Sequence, residues 1–122
     1  MLVLSAGMSK AVYLPERGDI IWINLDPRTG HEQSGQRPAI VISPKSFSEH
    51  TQLAIICPIT TGAKGLPFEI RVEDGVIDGA ILPIHVRSVD LVSRNAAFQQ
   101  KAPQDILNKT IQYVNVITGQ DQ

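Results

Sequence analysis

The sequence predicts a mainly β protein, a bent antiparallel body of about six or seven strands closed by one C-terminal helix. Three observations carry this reading. Short runs of β-branched and aromatic residues recur between glycine and proline turn signals from residue 18 to residue 99. One of them, FEIRV, alternates apolar Phe68, Ile70 and Val72 with charged Glu69 and Arg71, the period of a half-buried antiparallel strand. After Pro103 the apolar residues change to helical spacing.

Taken in order, residues 18–25 (GDIIWINL) form the first predicted strand, stopped by the turn signal Asp26-Pro27. Residues 38–43 (PAIVIS), 53–60 (LAIICPIT) and 68–72 (FEIRV) follow. Residues 79–84 and 85–91 extend the β pattern, and residues 96–99 add a short strand. Pro58 and Pro83 fall inside two of these runs. Proline cannot donate to a ladder, so they predict bulges or edges, as a small bent barrel requires. Pro103 suits a first helical turn; Ile106, Leu107, Thr110, Ile111, Val114 and Ile117 then make one apolar stripe, and Gly119 offers a stop. That stripe most simply covers an open end or face of the β body.

A chain of 122 residues fits one domain with a core of its own. We expect residues 1–17 to be a flexible leader and residues 18–122 the domain. The opening MLVLSAGMSK lacks the basic start and long apolar stretch of a signal peptide, and translation starts at either Met1 or Met8. No apolar run approaches the ~20 residues of a membrane span, which points to the cytoplasm. With 11 basic and 12 acidic residues, net charge -1, the chain lacks the broad basic surface of a non-specific duplex binder. A local groove for a short single strand needs only a few placed cations. Cys57, alone and inside an apolar run, is expected to be a reduced, buried thiol. Glu32 beside His31, with His50 and His85 far away, gives no metal-ligand spacing, and no cofactor is implied.

Residues 26–36 are longer than a tight hairpin, and such polar loops are usually functional or mobile. Gly30 and Gly35 let the backbone bend, while His31, Glu32, Gln33, Ser34 and Gln36 supply donors and acceptors. Arg37 stands where this loop enters the next strand. It is either an ordinary solvated arginine or a ligand-facing one held by the strand behind it. A second polar cluster, TTGAKG, follows the third strand. If the second and third strands pair antiparallel, Arg37 at the start of one meets Thr60 at the end of the other. A guanidinium fork and a hydroxyl on one spot suit a phosphate. The plain alternatives are strand-end threonines at Thr60 and Thr61 and a turn lysine at Lys64.

The stretches GDIIWINLDPRTGHEQSGQRPAIVISP, CPITTGAKGLPFEI and DGAILPIHVRSVDL together resemble the MazF/PemK family of toxin endoribonucleases, in order and over most of the chain. The resemblance implies an SH3-like antiparallel β-barrel with a C-terminal helix. It also implies a homodimer, metal-independent and sequence-specific cleavage of single-stranded RNA, and neutralisation by a cognate antitoxin, with DNA contacted only indirectly through that antitoxin. The family's essential arginine and threonine fall on Arg37 and Thr60. Glu32, Gln33, Gly35, Thr61, Lys64, His85 and Arg87 fall on positions implied to bind or shape the RNA. The PemK-like branch has an arginine and an aspartate where this chain has Leu82 and Ile84, so the MazF branch is the nearer one. His85 stands where MazF-type proteins often carry glutamine; it either alters base choice or is a strand histidine.

The implied reaction is attack of the 2'-hydroxyl on the adjacent phosphorus, leaving a 2',3'-cyclic phosphate and a 5'-hydroxyl. It needs a base, an acid and donors for the charge that builds on phosphate. Arg37 suits the last, because a guanidinium does not readily release its proton. His31 and His85 are further candidates for proton transfer. The alternative class is a non-catalytic SH3-like module binding a protein target, as gyrase-poisoning toxins do.

Overall fold

A computed structural model describes residues 12–25, 35–62, 65–74 and 77–119. Its elements are β1 (Asp19–Asn24), β2 (Gln36–Val41), α1 (Lys45–Thr51), β3 (Leu53–Thr60), β4 (Ile70–Asp74), β5 (Ile77–Ile81), β6 (Arg87–Asp90), β7 (Ala97–Lys101) and α2 (Gln104–Ile117). The seven strands form one antiparallel sheet in the order β4-β5-β3-β2-β1-β7, with β6 also paired to β3. This is the mainly β, curled half-barrel with a C-terminal helix that the sequence predicts.

The curl arises because β3 is shared. Its first half pairs with β6, from Leu53↔Asp90 to Ile56↔Arg87, and its end pairs with β5 at Ile59↔Ile81 and Thr60↔Ala80. Pro58 lies at the handover, and its carbonyl accepts the Leu82 N–H at 2.9 Å. A residue without an N–H leaves no orphaned donor where one partner strand gives way to the next.

Both faces of β1, β2 and β3 are covered, which explains their nearly continuous apolar runs. Ile20, Ile40, Cys57 and Ile59 join Ile70, Val72, Ile77, Ile81 and Leu107 in a core under α2. Ile21, Ile23, Ala39, Val41, Ala54 and Ile56 face the other way and pack with Val89 and Leu91. Each wholly buried isoleucine contributes about 1.5–3 kcal/mol. At the far edge, β7 is clasped to β1 by Asp19, which is only 3% exposed. Its carboxylate accepts bonds from the Tyr13 hydroxyl at 2.6 Å, the Lys101 ammonium at 2.7 Å and the Glu16 N–H at 3.0 Å.

The structure departs from the sequence reading in three places. The sequence predicts a single helix, but α1 also forms between β2 and β3; its seven residues bury only Ser48, so it carries no apolar stripe. Residues 79–91 are not continuous β: β5 ends at Ile81, and a 3-10 turn at Pro83–His85 precedes β6, because Pro83 fits a first turn and breaks a ladder. Last, β4 starts at Ile70, since Phe68 adopts a left-handed φ of 68° and packs edge-on against Tyr113 of α2 at 5.2 Å between ring centroids.

Candidate functional site

Three strand pairings meet at one groove. β2 and β3 pair through Ala39↔Pro58, Ile40↔Cys57 and Val41↔Ile56, and continuing that register by two residues sets Arg37 opposite Thr60. β1 adds Ile23 opposite Arg37 on the other side, and β5 adds Ala80 opposite Thr60. Directly opposed residues share a face of the sheet, so Arg37 and Thr60 are brought to one side. Around them lies an open groove of about 740 Å³, lined by Trp22, Leu25, Gln36, Arg37, Pro38, Pro58, Ile59, Thr60, Thr61, Ile77 and Asp78.

Each side chain is held by the fold behind it. Arg37 is exposed, and its Nη1 donates to the Gln36 carbonyl at 3.1 Å. Thr60 is half-buried at the end of β3, against Gly79 of β5. A Cβ at residue 79 would stand 2.1 Å from the Thr60 carbonyl oxygen, so only glycine lets β5 approach closely enough to fix that end of β3. Trp22 is anchored from β7, its Nε1 donating to Gln99 Oε1. The Gly35 carbonyl accepts the Leu25 N–H at 3.3 Å, tying the end of β1 to the start of β2.

The charges are divided across the groove. Arg37 stands on β2 and Asp78 on β5, with β3 between them in the strand order β5-β3-β2. Arg71 approaches Asp78 Oδ1 at 3.6 Å but makes its shorter bond, 2.8 Å, to Glu73, and that hydrogen bond raises the Arg71 pKa. Beneath the groove, burial pushes the Cys57 thiol up to about 12, so it stays a thiol at neutral pH. Among the described residues, no group of three or more His, Cys, Asp or Glu side chains is placed to hold a metal ion. Among them, too, no helix is long and apolar enough to cross a membrane.

Of the residues predicted from sequence, the groove gathers Arg37, Thr60 and Thr61, with Gly35 buried at its margin. His85 lies in the 3-10 turn and Arg87 opens β6 opposite Ile56; neither lines this groove. His31, Glu32, Gln33 and Lys64 lie outside the described residues. Leu82 is buried and Ile84 half-buried, in keeping with apolar side chains at those two positions. Trp22 and Asp78 were not singled out by sequence. Trp22 reads there as one more aromatic in an apolar strand, and Asp78 beside Gly79 reads as a turn.

Comparison with known proteins finds relatives of this chain. Residues 16–117 match the family described as PemK-like, MazF-like toxin of type II toxin-antitoxin system. The chain is 36% identical to the endoribonuclease toxin MazF of Escherichia coli (strain K12) over 107 residues, 88% of this chain and 96% of that protein. It is 32% identical to the endoribonuclease PemK of Escherichia coli over 108 residues, 84% of this chain and 80% of the relative. Among solved structures, a MazE-MazF crystal structure (Form-II) from Deinococcus radiodurans superposes with a TM-score of 0.78 at 39% identity, covering 88% of this chain and 97% of that one.

Proposed function

Since this chain belongs to the family of PemK-like and MazF-like toxins of type II toxin-antitoxin systems and is a toxin endoribonuclease, we propose that it cuts single-stranded RNA in the groove where β2 meets β3. Arg37 and Thr60 hold the scissile phosphate. The observation that carries this reading is the groove that Arg37 and Thr60 line together from the paired strands β2 and β3.

The Arg37 guanidinium gives paired N–H donors and a full charge to the phosphate oxygens, where negative charge grows as the transition state forms. The Thr60 hydroxyl donates from the adjacent strand, and Thr61 extends the polar edge. Held between them, the phosphorus is presented to the neighbouring 2'-hydroxyl. The O2'–P bond forms as the 2'-hydroxyl loses its proton; the P–O5' bond breaks and O5' takes up a proton. The products are a 2',3'-cyclic phosphate and a 5'-hydroxyl, with no water or metal consumed. Family membership further supports RNA-binding roles for Glu32, Gln33, Lys64, His85 and Arg87.

The partners follow from the same membership. A cognate antitoxin binds this toxin, as MazE does MazF in the Deinococcus radiodurans complexes. The working form is a cytoplasmic homodimer. Incubating the purified protein with a long single-stranded RNA in EDTA tests the reaction: we expect defined fragments ending in 2',3'-cyclic phosphate and starting with 5'-hydroxyl. Arg37→Ala should lose about 10²–10³-fold in cleavage rate while its melting temperature stays unchanged. Full activity in that variant overturns the site assignment.

A further inference from the structure

The groove is asymmetric about its centre. In the sheet order β5-β3-β2-β1, Arg37 and Thr60 occupy the two middle strands, with Trp22 on one flank and Asp78 on the other. Adjacent strands lie about 4.8 Å apart and a strand rises about 3.4 Å per residue. Asp78 is two residues along β5 from Ala80, which opposes Thr60, so it stands about 10 Å from the Arg37–Thr60 midpoint. If the phosphate is held at the centre, Asp78 is within reach of the base of an adjoining nucleotide.

Charge restricts what Asp78 can meet there. An ionised carboxylate accepts hydrogen bonds and donates none, and it repels phosphate oxygens, so it does not hold the RNA backbone. Its side chain is 74% exposed and forms an ion pair with Arg71 at 3.6 Å, while Arg71 makes its hydrogen bond to Glu73 at 2.8 Å, so the Asp78 carboxylate keeps accepting positions open to the groove. A base edge bearing N–H groups is the part of an RNA strand that complements it, and bases splayed from a single strand are read on such edges. Guanine offers an imino and an amino hydrogen side by side, while adenine and cytosine each offer an amino group. Uracil offers one N–H between two carbonyl oxygens, which face a carboxylate unfavourably. Trp22, held by Gln99 on the other flank, presents an aromatic surface on which any base stacks, so it gives affinity without choice.

We propose that Asp78 is a specificity-determining residue of this ribonuclease, admitting beside the scissile phosphate a base that presents amino hydrogens and rejecting uracil. The inference rests on the cleavage reading above and adds the base class the groove accepts. Its test is to cleave one long RNA of mixed sequence with the wild-type protein and with Asp78→Asn, whose amide both donates and accepts, and to map every cut end. Wild-type cuts should be depleted of uracil at one nucleotide position adjoining the cut. Asp78→Asn should admit uracil at that position about tenfold or more often, with base frequencies elsewhere unchanged. Identical frequencies for the two proteins at every position overturn the role of Asp78 and leave the ribonuclease reading standing. Absence of defined cuts by the wild-type protein would instead remove the reading on which this inference rests.

Discussion

Residues 53–56 and residues 58–60 belong to one strand, β3, and have different surroundings. The first group is clamped on both edges, by β6 and by the end of β2, where the Ile42 N–H reaches Ile55 and the Ile55 N–H reaches the Ser43 hydroxyl at 2.9 Å. Its alternate residues Ala54 and Ile56 are wholly buried. The second group exchanges β6 for β5 and opens onto the groove, with a proline, a core isoleucine and a half-buried threonine in succession. The first half therefore acts as the anchor for the second. A hydroxyl at a strand end is placed sharply only if the rest of the strand cannot shift.

Substitutions in the two halves should then separate stability from activity. The largest stability effect is expected for Ile56→Ala, about 2–5 kcal/mol by urea unfolding. The fraction that remains folded should still cleave RNA at close to the wild-type rate, and a large rate loss in folded protein would merge the two halves into one unit. Gly79→Ala should do the reverse. A Cβ 2.1 Å from the Thr60 carbonyl oxygen costs about 1–3 kcal/mol of overpacking, and relieving it by a shift of about 1 Å near the chemistry lowers the rate by about 10²-fold. Equal rates for Gly79→Ala and wild type would show that the approach of β5 does not position Thr60.

The smallest effect concerns a region distant from both halves, the Asp19 clasp. Burial alone would raise the Asp19 pKa, but hydrogen bonds from Lys101, Tyr13 and the Glu16 backbone outweigh it and hold the carboxyl below its ordinary value. The folded state thus binds its proton later than the unfolded chain does. The clasp's contribution is complete above the unfolded carboxylate range and is lost as pH falls through the depressed folded value. Melting temperatures of Asp19→Asn and wild type should differ by a few degrees at neutral pH and converge in acid. Parallel curves would mean that the ionised carboxyl does not stabilise the β1–β7 edge.

Much of this organisation was legible beforehand because it rests on local chemistry. The runs that became β1, β2 and β3 are rich in β-branched residues, since both of their faces are largely buried, and the stripe from Ile106 to Val114 marks α2 by period alone. Antiparallel pairing of β2 and β3 sufficed to anticipate that Arg37 and Thr60 line one groove. What escaped depends on distant partners. Helix α1 is too short to show a period, and the left-handed Phe68 is set by its contact with Tyr113. Trp22 and Asp78 enter the groove only because β1 and β5 flank the β2–β3 pair, and strand order is not written in any single run.

Cys57 lies at the junction of the two halves of β3, wholly buried and the single cysteine of the chain. That makes the molecule its own clock. A thiol reagent added to the native protein finds nothing to modify until β3 separates from its neighbours, so each alkylated chain counts one opening. Following the mass of the protein over time, with and without bound RNA, would measure how often the anchor releases the site and whether substrate slows it.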